Sequence, residues 1–451
     1  MSLNFKQLFA LNAAKAVIAL RGGKSTSAPG LLAQRLAPDL FNKLLPAVGE
    51  APILVTGTNG KSTTAGILAS ILQSNESNVI HNRSGANLAS GLLTTLVKHS
   101  SSLGVVEKGQ PLLEVDEAVI RKITPQNPAK LVLVNNFFRD QLDRFGEMET
   151  TISLVQEGIN LAETGTLVLN ADDPNVCRLN AERKLYFGIS EDVWQEGSAP
   201  EIFAEELGIC PSCKEDLKYK KQWLGQFGDY YCPSCGYKKP KPQVLLTKLN
   251  MNTDASVFTV KTLEQEFEIK LPLPGLFNVY NALGAIAAAN VLGIPKESIQ
   301  KGVANYQPLF GRSQEVSYKG QKLKIFLIKN PIGASEVLRL ISSDPKAKVL
   351  VAINDNYADG RDVSWLWDAH FEYLSSCGFS VIASGKRGTD IAVRLKYAKV
   401  KQIEYIADLQ QALDELVKSS NNSLETERNL YVVPTYTALL RITEILGLGK
   451  E

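Results

Sequence analysis

Short unbroken apolar runs, separated by stretches with helical apolar spacing, set the texture of this chain. Ile53–Val55, Leu131–Val134 and Thr166–Leu169 are continuously apolar or nearly so. That is the pattern of strands buried on both faces of a parallel sheet. Between such runs, Ile67, Leu68, Ile71 and Leu72 recur at helical spacing within Ala65–Leu72. Strand–helix alternation from residue 50 to about 200 therefore predicts a parallel sheet covered on both sides. Alternating residues at Ser256–Lys261 and Phe267–Leu271 predict a β-hairpin, and Asn278–Leu292 a long Ala-rich helix. A second α/β segment starts near Arg312, with strands predicted at Lys324–Ile328, Val349–Ile353, Ser380–Ala383 and Leu430–Val433. Residues 1–49 read as helical, with breaks at Pro29-Gly30, Pro38 and Pro46.

At 451 residues the chain exceeds one ordinary core. The pattern divides it into an N-terminal helical segment (1–49), an α/β domain (50–310) with an insertion of different texture (200–245), and a C-terminal α/β domain (311–451). Hydrophobic residues make up 44% and charged residues 21%, the balance of a soluble globular protein. A net charge of +2 gives no reason to expect nucleic acid or bulk membrane as a partner. No apolar run approaches the roughly 20 residues that cross a bilayer. The amphipathic start (Phe5, Leu8, Phe9, Leu11) lacks a cleavage site before Arg21-Gly22-Gly23-Lys24. It reads as a helix packed on the body or as one lying on a membrane surface.

The most informative chemistry follows the first strand, in Gly57-Thr58-Asn59-Gly60-Lys61-Ser62-Thr63. Strand, glycine turn and helix aim backbone N–H groups and a helix N-terminus at one spot, where a polyphosphate can sit. Lys61 is expected to reach the terminal phosphates, and Ser62 or Thr63 to hold a magnesium ion. Val55 stands where the full Walker pattern has its first glycine.

Cys210-Pro211-Ser212-Cys213 and Cys232-Pro233-Ser234-Cys235 repeat one tetrapeptide with eighteen residues between. Cys210, Cys213, Cys232 and Cys235 are thus expected to close a tetrahedral four-thiolate zinc site, structural because no coordination position stays open. The surrounding lysines (214, 218, 220, 221, 238, 239 and 241) are a nucleic-acid contact on one reading and a solvated face offsetting the tetrathiolate on the other.

Four further segments follow the phosphate loop in order: Leu113-Glu114-Val115-Asp116-Glu117-Ala118, Asn135-Asn136-Phe137-Phe138-Arg139-Asp140-Gln141-Leu142-Asp143, Asn170-Ala171-Asp172-Asp173-Pro174 and Gly275-Leu276-Phe277-Asn278-Val279-Tyr280-Asn281. The acids of the first suit a direct or second-shell magnesium contact. The next two follow buried strands, at the edge where open α/β sheets hold ligands. This order resembles the Mur ligase family, ATP-dependent enzymes that activate a carboxylate as an acyl phosphate and couple it to an amine. The resemblance implies an α/β fold: a Mur ligase-like P-loop middle domain with an inserted four-cysteine zinc ribbon, followed by a Rossmann-like C-terminal α/β domain. It implies that Gly57 to Thr63 bind the ATP phosphates, that Glu114 is a magnesium ligand, that Asn278 and Asn281 contact adenine, and that Asn170 and Asp173 lie near the nucleoside.

Two departures stand out. Asp140-Gln141-Leu142-Asp143 lacks the family's histidine, and Leu154-Val155-Gln156-Glu157-Gly158 lacks its lysine; these departures leave the family's second-metal arrangement open here. The phosphate loop also begins too early for the usual uridine-nucleotide domain to precede it. A middle domain of this kind, interrupted by a four-cysteine ribbon and followed by Asn354-Asp355-Asn356-Tyr357-Ala358-Asp359-Gly360-Arg361-Asp362, is similar to the branch that supplies the synthetase subunit of lipid II isoglutaminyl synthase. That implies amidation of the D-glutamate α-carboxyl in the lipid II stem peptide, in the cytoplasm near the inner face of the cell membrane.

The ammonia source bears on this independently. Beyond the zinc set only Cys177 and Cys377 remain, neither in a nucleophile elbow, with three histidines in all. Both thiols read as small core residues. The resemblance supplies a GatD-type glutaminase partner, forming a heterodimer. Asp355, after the strand Val349–Ile353, is the expected group for positioning ammonia or taking a proton from ammonium. His370 is a candidate to orient it; Asn330–Ala334 and Arg312 are weaker candidates to face substrate. The competing description of Asn354–Asp362 is an Asx-rich turn feeding a helix whose Trp365 and Trp367 pack inward. Two other functions fit parts of the chain: another Mur-type ligase such as folylpolyglutamate synthase, and a zinc-ribbon nucleic-acid-binding ATPase.

Overall fold

The computed structural model describes residues 3–23, 25–83, 85–138, 148–161, 165–193, 208–308, 312–376, 380–421 and 429–448. In the first α/β unit the strands are β1 (Ile53–Thr56), β2 (Val79–His81), β3 (Gln110–Glu114), β4 (Leu131–Val134), β5 (Thr166–Asn170) and β6 (Lys184–Ile189). After an excursion through β7 (Lys218–Leu224) and β8 (Phe227–Tyr231), the chain returns as β9 (Val244–Met251), β10 (Ser256–Lys261) and β11 (Glu266–Leu271). Together they make a nine-stranded sheet of order β11-β10-β9-β6-β5-β4-β1-β3-β2. It is parallel from β2 to β9 and antiparallel in the β9–β10–β11 meander.

Continuous apolar strands are required here because successive side chains enter two separate cores. Ile53, Val55, Leu131, Leu133 and Val168 face one core, against the helices Lys61–Ser74 and Leu276–Val291. Leu54, Val132, Val134, Leu167 and Leu169 face the other, against the N-terminal helices, Ala89–Lys98 and Met148–Leu161. The N-terminal helix Phe5–Leu20 buries Ala10, Leu11 and Ala14 in that second core while Phe5 and Phe9 stay exposed.

The second unit has β12 (Arg312–Tyr318), β13 (Gln321–Phe326), β14 (Ala347–Ala352), β15 (Val381–Ser384), β16 (Ile403–Tyr405) and β17 (Asn429–Pro434), in the order β12-β13-β17-β14-β15-β16. β12 and β13 form an antiparallel edge hairpin on an otherwise parallel sheet. The first of its predicted strands thus begins at Gln321 and ends at Phe326, because pairing with β12 extends it backwards through residues too polar to read as buried strand. Among the described residues no helix is long and apolar enough to cross a membrane.

Candidate active site

β1 delivers the chain into a turn that only glycine permits. Gly57 and Gly60 take φ values of 122° and 80°, in the left-handed region that costs other residues strain. A Cβ on Gly60 would stand 1.9 Å from Asn281 Oδ1, so the loop packs directly on the helix Leu276–Val291. Gly60 caps the helix Lys61–Ser74, whose first N–H groups have no acceptor within the helix.

Three acids gather round this turn. Lys61 Nζ donates to Gly57 O and to Glu117 Oε1, both at 2.7 Å. Burial works to lower the Lys61 pKa, but the Glu117, Asp116 and Glu114 carboxylates outweigh it and hold the ammonium above its usual value. Burial likewise pushes Glu117 up, with Lys61 opposing. Ser62 Oγ donates to Glu114 Oε2 at 2.5 Å, and Asn87 Nδ2 donates to Glu114 Oε1 at 3.1 Å. Asn82 fixes the Glu114 backbone by donating to its carbonyl and accepting from its N–H, each at 2.8 Å. The result is a hydroxyl and a carboxylate touching at a helix N-terminus, an oxygen donor set suited to magnesium.

Beside the loop runs a cleft of ≈ 170 Å³ between the two α/β units. Asn59, Thr63, Asn136, Asn278 and Asn281 give it polar lining, and Phe138, Leu224, Phe227 and Phe277 apolar lining. The opposite wall comes from the second unit through Asn330, Gly333 and Glu336. Asn59 and Asn330 exchange two side-chain hydrogen bonds across it, at 2.8 and 3.3 Å. Asn330 also caps the helix Pro331–Ser342 by accepting from Gly333 N at 2.9 Å.

Asn170 and Asp173 are fully buried and are not among the residues lining the cleft. The Asp173 carboxylate accepts from Phe137 N, Asn175 N and Gln226 Nε2 at 2.8–2.9 Å. Burial pushes its pKa up to about 7 against those bonds. Their contribution is to shape the strand ends. Gln226 belongs to the cysteine-bearing insertion, whose hairpin tip therefore reaches the site.

In that insertion the four sulfurs lie within 4.8 Å of one another. The Cys210–Cys235 and Cys213–Cys232 separations are 3.6 and 3.5 Å. Tetrahedral zinc with bonds near 2.3 Å needs edges of roughly 3.8 Å, so the donor set fits the metal. Cys177 Sγ donates to Asn170 O and Ala171 O at 3.3 and 3.4 Å, and burial pushes its thiol well up. A thiol so held is no nucleophile at neutral pH.

Asp355 follows β14, but it is not among the residues lining the cleft beside the phosphate loop. Arg387 holds it, with Nε and a terminal nitrogen each 2.8 Å from Oδ2. Asn354 and Asn356 both donate to Thr437 Oγ1, at 3.0 and 2.7 Å. His370 donates its backbone N–H to Ser335 Oγ at 3.0 Å and stands edge-on to Tyr373. Trp365 packs inward, whereas Trp367 is exposed against Tyr397. The Asp140–Asp143 segment, Cys377 and the Arg312 side chain lie outside the described residues.

The structure thus brings Gly57–Thr63, Glu114, Asn278 and Asn281 to one place. Sequence reading assigned no partner to Lys61, overlooked Arg387, and passed over Leu224, Gln226 and Phe227. Those three had a signal: Trp223-Leu224-Gly225-Gln226-Phe227 is too apolar for a solvated turn.

The Mur ligase middle domain family matches residues 55–230 and 213–289, and the MurT ligase C-terminal family matches residues 327–439. The chain is 35% identical over 435 residues to "Lipid II isoglutaminyl synthase (glutamine-hydrolyzing) subunit MurT" of Streptococcus pneumoniae (strain ATCC BAA-255 / R6), covering 95% of this chain and 93% of that one. It is 30% identical over 434 residues to the protein of the same description from Staphylococcus aureus (strain COL), covering 95% and 94%. Among solved structures, MurF from Acinetobacter baumannii superposes with a TM-score of 0.66 at 16% identity, over 94% of this chain and 81% of that one. The fold is accordingly a Mur ligase-like α/β architecture carrying a clustered four-cysteine insertion.

Proposed function

This chain belongs to the MurT family of Mur ligase-like synthetase subunits, and from that premise we propose that it amidates the α-carboxyl of D-glutamate in the lipid II stem peptide. ATP supplies the driving force and a GatD-type glutaminase partner the ammonia. The observation that carries the proposal is the meeting of Lys61, Ser62, Glu114 and Asn281 at one glycine turn beside an interdomain cleft.

Gly57 to Thr63 cradle the ATP phosphates through backbone N–H groups, with Lys61 on the terminal ones. Ser62 and Glu114 hold magnesium, which neutralises phosphate charge so that an anionic nucleophile can approach. Asn278 and Asn281 contact the adenine edge. A substrate carboxylate oxygen attacks the γ-phosphorus and ADP leaves, giving an acyl phosphate. Ammonia then attacks the acyl carbon, orthophosphate leaves, and the surplus proton passes to Asp355. The Arg387 guanidinium holds the Asp355 carboxylate in position for that step. The cysteine quartet holds a structural zinc ion, and work at a lipid-linked substrate brings the protein to the inner face of the cell membrane.

The test is turnover by the complex with a glutaminase, lipid II, ATP and glutamine, read by orthophosphate release and by mass spectrometry of the stem peptide. D-isoglutamine formation, with ammonium chloride replacing glutamine when the partner is omitted, is the expected result. ATP turnover that instead appends an amino acid, or no orthophosphate at all, rejects the proposal.

A further inference from the structure

The insertion that carries the cysteines does more than decorate the first unit. Its β7–β8 hairpin ends in Leu224-Gly225-Gln226-Phe227, and every side chain there is buried or nearly so. A hairpin tip that merely closed a zinc ribbon would face water and be polar. This one turns inward. Leu224 and Phe227 line the interdomain cleft beside Asn278 and Asn281. Phe227 stacks on Phe138 with ring centroids 4.9 Å apart and meets Tyr280 edge-on at 5.0 Å.

The tip is fastened from several sides. Gln226 Nε2 donates to Phe137 O at 2.7 Å and to Asp173 Oδ1 at 2.8 Å, two groups at the sheet's ligand-bearing edge. Trp223 Nε1 donates to Tyr280 OH, which in turn donates to Asp172 Oδ2 at 2.6 Å. Lys239, from beyond the second cysteine pair, closes the network with Asp172 Oδ1 at 2.6 Å. A buried network joined in this way by hydrogen bonds and an ion pair holds its members in one arrangement.

Resting on the nucleotide-site reading above, we propose that this hairpin tip is the base-side wall of the nucleotide cleft, so that the inserted ribbon, and not the Mur-type core alone, recognises the purine. Flat apolar faces on Phe227 and Phe138, with amide groups of Asn278 and Asn281 at the same cleft, match a planar heteroaromatic ring with polar edges. The phosphate loop needs no help from the tip to hold polyphosphate. The two halves of the ligand are therefore separable by experiment.

Binding of magnesium ATP and of magnesium tripolyphosphate is measured calorimetrically on the full chain in complex with its glutaminase. Phe227→Ala is expected to weaken ATP by about tenfold or more, the scale of one aromatic stacking contact, while tripolyphosphate affinity stays within about twofold of wild type. Phe227→Leu, which keeps apolar volume but loses the flat face, guards against a folding defect and should show the same split. Lys61→Ala should weaken both ligands. Tyr231→Ala, an exposed position on the same hairpin, should change neither. Wild-type ATP affinity in both Phe227 variants, with Lys61→Ala still impaired, overturns the inference and leaves the nucleotide site standing. Parallel loss of both ligands in the Phe227 variants overturns it too, as a general collapse. No effect of Lys61→Ala on either ligand removes the nucleotide-site reading beneath it.

Discussion

Lys61 and Glu117 form a buried ion pair beside the glycine turn, and substituting Glu117 separates folding from binding. Removing one member of such a pair leaves the other charge without compensation, typically costing about 3 kcal/mol or more. Glu117→Ala should therefore lower stability by about that amount, and Glu117→Gln by less, since an amide oxygen still accepts from Nζ. Phosphate oxygens can replace the missing anion, so added ATP should raise the melting temperature of Glu117→Gln more than that of wild type. An equal or smaller rise contradicts the pairing. His81, half-buried with its ring Nε2 enclosed, is a second group whose sign can be worked out. Burial lowers its pKa to about 4, with Glu114 opposing, and its Nε2 has no hydrogen-bond partner among the described residues. The folded state therefore resists protonating it. Its contribution is complete above the ordinary value near 6.5 and is lost as pH falls through about 4, a span worth at most about 3 kcal/mol. Melting curves between pH 7 and 4 should show His81→Gln losing less stability than wild type; identical acid limbs would discount the residue. Of this neighbourhood, the glycines, Lys61 and Ser62 were readable because the loop's chemistry requires them at fixed spacing, whereas Glu114, 52 residues from Ser62, came only from the family resemblance. The Lys61–Glu117 pairing was not, because an acid three positions beyond a strand end announces no partner.

At the scale of elements, β14 and β15 set the geometry around Asp355. The two strands run parallel with Ala352 opposite Ser384, which brings the loop after β15, and with it Arg387, against the loop after β14. A guanidinium fork grips a carboxylate in a way that an ammonium cannot. Arg387→Lys should cut the amidation rate by about tenfold and Arg387→Ala by more, with ATP affinity unchanged because neither residue lines the nucleotide cleft. Wild-type amidation by Arg387→Ala would remove Asp355 from its assigned role along with it. The strand pattern was legible wherever both faces are buried, as in β1, β4, β14 and β17. It failed for β12 and for the start of β13, an edge hairpin whose exposed Glu315 and Lys322 interrupt the apolar pattern. Arg387 was invisible for a related reason: its partner is 32 residues away and the contact depends on strand order, which local patterning does not encode.

At the scale of the molecule, one insertion links the four-cysteine cluster to the interdomain cleft. Cys210 and Cys232 are buried with Leu217 and Tyr230 in a satellite core, and Cys213 and Tyr237 pack against it. So small a cluster cannot by itself offset the chain entropy of ordering residues 208–243. On the proposed zinc assignment, a metal held by the four thiolates would supply that missing stability directly to folding. Stripping the metal with an organomercurial should release one zinc ion per chain, and the consequences should spread unevenly. Amides of β7 and β8 should lose protection from hydrogen exchange, and the Gln226 and Trp223 anchors should be lost with them. ATP affinity should fall because the wall carrying Leu224 and Phe227 loosens. Amides of β14 and β17, which share no core with the insertion, should keep their protection. Unchanged exchange in β7 and β8 after metal release would mean that packing on Tyr280 and Asp173 suffices to hold the hairpin. Loss of protection in β14 as well would mean that the two units unfold together, and that the cleft between them is a single cooperative structure.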